Sequence, residues 1–294
     1  FYSADTSSIY TTDVSGTDST ASGNSAYGYQ AMDAITTGDN NTAVGSSALG
    51  ANTTASYNTA VGSQALLANT EGHSNTSTGY QSLITNTTGN SNTATGIYAM
   101  YRNTTGSNNT AVGKSALEAN TTADSNTAVG YHSLYANTTG AQNVAVGQAS
   151  LDANTTASYN TALGYGALSS NTTGSSNTAV GRGSLLTATT ASNNTGVGYG
   201  SLNLTTTGAS NTGVGYFSLT ANTTGAANVA IGDDALKANT TADNNTAVGT
   251  SALAANTTGE VNSAFGALAM YTNTTGYGNT AVGKNSLYTN NGNN

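Results

Sequence analysis

Two apolar positions, five residues apart, recur along this chain at a fixed interval. A residue that is most often Val is followed by a Leu or Met, as in Val44 with Leu49 and Val61 with Leu66, and the pair returns every 17 residues. The Asn that precedes each pair marks the register. It falls at 24, 41, 58, 75, 92, 109, 126, 143, 160, 177, 194, 211, 228, 245, 262 and 279, without insertion or deletion. A disordered linker needs no such register, so the period predicts a stack of like units.

With that Asn numbered 0, the unit has a fixed skeleton. Position 4 is Gly throughout: Gly28, Gly45, Gly62, Gly79, Gly96, Gly113, Gly130, Gly147, Gly164, Gly181, Gly198, Gly215, Gly232, Gly249, Gly266 and Gly283. Position 2 is small, position 7 is Ala or Ser, and position 8 is Leu or one of the three methionines, Met32, Met100 and Met270. Positions 5, 6, 9, 15 and 16 vary. Two short strands are predicted in each unit, at positions 1–3 and about 6–9. The fixed Gly between them marks a bend with positive φ or a close backbone approach. Positions 11–14, commonly Asn-Thr-Thr-Gly, carry turn chemistry. Ala replaces Gly at position 14, so that site does not demand positive φ. Too many glycines and β-branched residues, and no helical stripe, exclude a helix.

The expected fold is all-β: a parallel β-solenoid of sixteen 17-residue coils over residues 24–294. Sixteen coils at the strand spacing would make a rod of roughly 75 Å. Val and Leu ladders are expected in its core, and the Asn at 0 is expected to form an amide ladder from coil to coil. Two large apolar side chains per coil contribute roughly 3–6 kcal/mol, while ordering 17 backbones costs about 17 kcal/mol or more. A core this thin predicts self-association, as a lateral trimer or end to end. Residues 1–23 lie outside the repeat register and are expected to cap the first coil or to join subunits by strand addition.

Composition narrows the function. Charged residues make up 6%, with five bases against 13 acids and a net charge of -8. Arg102, Lys114, Arg182, Lys237 and Lys284 are scattered, so no basic stripe exists for nucleic acid. The sequence has no cysteine and no apolar run near the roughly 20 residues of a membrane span. His73 and His132 occupy unrelated positions without a recurring acid partner, and Asp39, Asp124, Asp243 and Glu260 share position 15 without a calcium-repeat motif. The expectation is therefore no enzyme, no cofactor and no metal.

Two recurrent features carry possible binding chemistry. Asn-Thr-Thr sequons begin at Asn52, Asn86, Asn103, Asn120, Asn137, Asn154, Asn171, Asn222, Asn239, Asn256 and Asn273. In an outward turn they would be candidate glycosylation sites; alternatively, Asn and Thr stand there because turns and ladders use them. Tyrosines cluster at position 5 (Tyr29, Tyr80, Tyr131, Tyr165, Tyr199, Tyr216) and position 9 (Tyr101, Tyr135, Tyr271, Tyr288). They either pack between neighbouring coils or chains or face outward, where rings can stack on sugars.

The unit, as in Asn126-Thr127-Ala128-Val129-Gly130-Tyr131 and Asn137-Thr138-Thr139-Gly140, resembles the head repeats of YadA-like trimeric autotransporter adhesins. It is similar also to Asn-Thr-Ala-Val-Gly arrays of phage tail-fibre-like and bacterial surface proteins. The resemblance covers residues 24–294 and implies a left-handed β-roll, three chains side by side, and display outside the cell or on a virion. The present units are longer than the typical adhesin repeat, the extra length falling in the Asn-Thr-Thr turn. Three functions compete: a structural subunit of an extracellular fibre, glycosylated or not; an adhesive or receptor-binding fibre shaft; and an ice-binding solenoid. Ice binding is the remotest, because adjacent threonines at 12 and 13 should point to opposite sides if extended.

Overall fold

The computed structural model describes residues 9–10, 21–289 and 292. The chain divides into two compact units, Phe1–Asn143 and Val144–Asn294. Each is an all-β parallel solenoid with one three-residue strand per 17-residue coil, and no helix occurs among the described residues.

The first unit contains β1 (Ile9–Tyr10), β2 (Ser25–Tyr27), β3 (Thr42–Val44), β4 (Thr59–Val61), β5 (Thr76–Thr78), β6 (Thr93–Thr95), β7 (Thr110–Val112) and β8 (Thr127–Val129). Consecutive strands pair in parallel with like repeat positions opposed, as Ala43 with Ala60 and Ala60 with Ser77. Most of the N-terminal segment expected to cap or join lies outside the described residues; within it, β1 pairs with β2 through Ile9 opposite Ser25 and Tyr10 opposite Ala26. The second unit contains β9 (Val144–Val146), β10 (Thr161–Leu163), β11 (Thr178–Val180), β12 (Thr195–Val197), β13 (Thr212–Val214), β14 (Val229–Ile231), β15 (Thr246–Val248), β16 (Ser263–Phe265) and β17 (Thr280–Val282), paired in the same register.

The strands correct one expectation. Val at position 3 is not in the core. Side chains alternate across a strand, and here the middle residue points in: Ala43, Ala60 and Ala111 are fully buried, whereas Val44 is 40% exposed. The interior is too narrow for a branched side chain at position 2, because position 7 faces it. Ser77 Oγ donates to Ser82 O at 2.8 Å. Where position 7 is Ser in successive coils, position 2 can shrink to Gly, and the hydroxyl reaches its backbone: Ser184 Oγ donates to Gly196 O at 3.0 Å and Ser201 Oγ to Gly213 O at 2.9 Å. The described core of most coils holds one large apolar side chain, the Leu or Met at 8, with Ala or Ser at 7, a small residue at 2, and two asparagines. Ile35, Ala188 and Thr205 replace the second asparagine in three coils, and Ile35 adds a second large apolar side chain to the first coil. Burying one such side chain contributes about 1.5–3 kcal/mol.

The second predicted strand is also absent among the described residues. Positions 6 and 8 have positive φ, as at Ser47 (56°), Leu49 (51°), Gln64 (58°) and Leu66 (54°). Alternation into the left-handed region coils the backbone instead of extending it, yet the segment still bonds along the stack. Leu49 N donates to Ala65 O of the next coil at 3.0 Å, and Gln64 N to Ser46 O of the preceding one at 2.8 Å. Left-handed Leu is unfavourable by roughly 1–2 kcal/mol; complete burial of the side chain offsets that.

The glycine at position 4 behaves as predicted, and for both reasons. Gly62 has φ of 137°, and a Cβ there would lie 2.4 Å from Gly79 O. The backbone is therefore in a region that side chains rarely adopt and is packed against the next coil.

Candidate functional site

The described residues offer no catalytic constellation to start from, so the functional surfaces are the rows of side chains that the coil turns outward. Four such rows matter, and each begins with what the backbone requires.

The first is the outer face of the strands. Thr at position 1 is mostly half-buried, and Val at position 3 is exposed, as at Val44, or half-buried, as at Val129 and Val180. The sheet of each unit thus presents parallel rows of Thr and Val on its outer face. Position 3 stays apolar in most coils where Val is replaced, as in Leu163, Ile231 and Phe265, which are 36%, 41% and 43% exposed, while Thr78 and Thr95 interrupt the row in two successive coils. An exposed row of large apolar side chains is a candidate interaction surface.

The second is the Asn-Thr-Thr turn, where the candidate glycosylation sites need correction. Asn52, Asn86, Asn103, Asn120, Asn137, Asn154, Asn171, Asn222, Asn239, Asn256 and Asn273 are all 0% exposed. Their amides point into the coil. Asn120 Nδ2 donates to Asn103 Oδ1 at 2.7 Å and to Ala123 O at 3.0 Å. An amide nitrogen that is buried and committed to two acceptors leaves no room for a sugar in the folded coil. Asn69 makes the same pair of bonds, to Asn52 Oδ1 and Gly72 O, although Asn69-Thr70-Glu71 is not a sequon. Ladder chemistry therefore accounts for these asparagines. Thr at 12 is turned toward the stack, with Thr104 Oγ1 donating to Thr121 O at 3.0 Å, whereas Thr at 13, such as Thr54, Thr88 and Thr105, is exposed.

The third row is position 15, which the sequence left as free variation. Where it is Ser, Asp, Asn or His, its side chain accepts the backbone N–H of position 15 in the preceding coil. Asp39 N donates to Ser56 Oγ (2.9 Å), Ser56 N to His73 Nδ1 (2.9 Å), His73 N to Asn90 Oδ1 (2.7 Å) and Ser107 N to Asp124 Oδ1 (2.6 Å). Asp243 Oδ1 likewise takes Ala226 N at 2.6 Å. The readable signal is that Ser, Asp, Asn and His all carry a hydrogen-bond acceptor. With Ser22 N donating to Asp39 Oδ1 at 2.7 Å, this places His73 and three position-15 acids, Asp39, Asp124 and Asp243, in backbone capping. No group of three or more His, Cys, Asp or Glu gathers among the described residues.

The fourth row joins positions 5, 6 and 9, where most of the aromatics lie. Tyr29, Tyr80, Tyr131, Tyr165, Tyr199 and Tyr216 are 42–71% exposed, and several also touch along the stack. Tyr199 and Tyr216 stack at 5.5 Å, Tyr271 and Tyr288 at 5.3 Å. His132 lies between the rings of Tyr131 and Tyr135, at 4.0 and 4.5 Å. The two sequence readings of the tyrosines, packing along the stack and facing outward, thus hold together.

No protein-family model matches the chain, and no curated protein matches it in sequence. The class defined by fold and surface is a β-solenoid repeat protein. No helix of the described residues is long and apolar enough to cross a membrane.

Proposed function

We propose that this chain is a structural subunit of an extracellular fibre, in which the Thr and Val rows of the strand face are buried against further copies of the chain. One observation carries the reading: the residue that recurs as Val, Leu, Ile or Phe at position 3 points away from the coil's own core. A single coil has no use for an apolar row on its outside. A second coil of the same kind does, because in-register rows on one chain match those on another, and the small charge content opposes such contact little. The composition of Gly, Ala, Ser, Thr and Asn, with no cysteine, also suits a coat or filament exposed to changing redox conditions. Any glycan on this fibre belongs on exposed hydroxyls such as Thr54 or Thr88, not on the buried ladder asparagines.

Sedimentation and electron microscopy of the purified chain test the reading. The native protein is expected to form oligomers or filaments, and Val112→Asp with Val129→Asp to shift it at least tenfold toward monomer at equal concentration. Circular dichroism should be unchanged, since both side chains lie outside the core. A native chain that stays monomeric at high concentration would overturn the proposal.

A further inference from the structure

Three adjacent coils of the second unit depart from the rest at position 6, where Gly166, Gly183 and Gly200 stand in succession. Their φ values are 61°, 64° and 63°, but the same backbone elsewhere carries Gln64, His132 and Asp234 at 58°, 53° and 56°. The turn geometry therefore does not require glycine. At Gly200 a Cβ would strike the Phe217 ring at 2.5 Å, so that ring occupies the space; at Gly166 and Gly183 the nearest atoms stand 3.4 Å away. Gly183 and Gly200 line a cleft of about 260 Å³, which a side chain at Gly183 would enter.

The cleft wall combines three kinds of group. Tyr165, Tyr199 and Phe217 supply rings, and Leu186 an apolar floor. Arg182 lies over two of the rings, 5.7 Å from the centre of Tyr165 and 5.5 Å from that of Tyr199, and its Nη1 donates to Tyr199 Oη at 3.2 Å. Asn203 Nδ2 donates to Gly183 O at 2.8 Å, which fixes the amide at the cleft. Among the described residues the ion pair is Lys237 with Asp234, so Arg182 forms none although acids outnumber bases 13 to five. Its guanidinium is held by aromatic faces, with donors in a fork suited to a carboxylate.

We infer that this cleft binds an acidic saccharide, with one uronate-type ring seated in it. The carbon–hydrogen face of a pyranose matches Phe217 and Leu186, its hydroxyls match the Asn203 amide and the tyrosine hydroxyls, and its carboxylate matches Arg182. An apolar peptide would leave the guanidinium and amide unused. A neutral sugar would leave the guanidinium without its counter-charge. The inference does not depend on self-association, since the cleft lies on the aromatic flank of the coil and not on the strand face.

Saturation-transfer NMR and calorimetry on the whole chain, with oligosaccharides of galacturonate, glucuronate and mannuronate and with their neutral hexose counterparts, test it. At least one acidic oligosaccharide should bind, at least tenfold more tightly than its neutral counterpart. Gly183→Gln should reduce that binding tenfold or more while the circular dichroism spectrum and melting are kept, because Gln already occupies this position at Gln64 and Gln81. Arg182→Gln should abolish the preference for acid over neutral sugar. Absence of binding by every acidic probe, equal binding of the neutral ones, or binding untouched by Gly183→Gln would each overturn the inference.

Discussion

At position 0 an asparagine stands in every unit, whereas at position 11 Ile35, Ala188 and Thr205 replace it. Both side chains are buried, and both donate to the same acceptor. Asn58 Nδ2 and Asn69 Nδ2 each reach Gly72 O at 2.9 Å. The difference lies in what their oxygens do. Asn58 Oδ1 accepts the backbone N–H of Asn75 in the next coil at 2.9 Å; Asn69 Oδ1 accepts only a side-chain amide, that of Asn86, also at 2.9 Å. Losing the first oxygen orphans a buried backbone donor. Losing the second leaves Asn86 Nδ2 with its other bond, to Gly89 O at 3.0 Å. Which ladder tolerates substitution thus depends on whether a backbone group relies on it; at position 11 Asn171 Oδ1 does accept a backbone N–H, that of Gly174 in its own coil at 3.1 Å.

The strand corner has one further demand, and breaking it should have the largest effect. Gly62→Ala puts a methyl against Gly79 O and asks Ala to adopt a φ of 137°. The combined strain and overlap should cost about 3–5 kcal/mol. Thermal unfolding should show it as a large loss of stability. A change below about 1 kcal/mol would mean that the coils can part at position 4 without penalty.

The two ladders can then be set against each other by matched truncations. Asn58→Ala should destabilise by about 2–4 kcal/mol, from the orphaned donor and the cavity together. Asn120→Ala should cost about 1–2 kcal/mol, because Ala123 O keeps its bond from Asn109 Nδ2 at 2.8 Å. Hydrogen exchange gives the sharper reading. In Asn58→Ala the Asn75 amide should lose its protection, while in Asn120→Ala the Asn137 amide should keep it, since that N–H bonds Leu134 O within its own coil at 3.4 Å. Equal costs with equal exchange would refute the distinction.

The period, the parallel stacking, the Asn ladder at 0 and the bend at Gly were legible because each repeats in every unit and each follows from residue type. Besides the Asn-Thr-Thr asparagines, which are buried ladder residues and not outward sites, two features were misread. Val at 3 looked like core because apolar residues usually are; only the narrow interior, set by Ala or Ser at 7 facing position 2, turns it outward. Leu at 8 looked like strand, since left-handed backbone is normally announced by Gly or Asn. That announcement was present nearby: position 16, with positive φ throughout the described coils, carries Gly23, Asn40, Asn108, Asn193, Asn244 and Gly278. At position 8 it was hidden, because burial of Leu overrides the local preference. The acceptor side chains at position 15 were readable, but the partners they bond became visible once the coils were stacked, as each bond joins residues 17 apart. The aromatic cleft needed the same step: three glycines 17 residues apart are unremarkable in a Gly-rich chain until stacking makes them neighbours.

The smallest expected effect runs in the opposite direction. Thr205 occupies position 11, where its Oγ1 is buried with no hydrogen-bond partner. Asn222, the next residue in that ladder, donates to Gly225 O at 2.9 Å. Thr205→Asn would give Asn222 Nδ2 a side-chain acceptor and supply a donor to Gly208 O, the bond made three residues on in other coils. It would also remove the unpaired hydroxyl. The gain should be about 0.5–1.5 kcal/mol, the net worth of a buried hydrogen bond. Thr205→Val, which removes the hydroxyl without extending the ladder, separates the two contributions. If relief of the unpaired oxygen is the whole effect, Val and Asn will stabilise equally. If the ladder contributes, Asn will exceed Val, and adding Ala188→Asn to Thr205→Asn will raise the melting temperature again, by more than Ala188→Asn does alone, because the two new amides bond to each other. Strict additivity of the pair would show that position 11 acts within each coil and not along the stack.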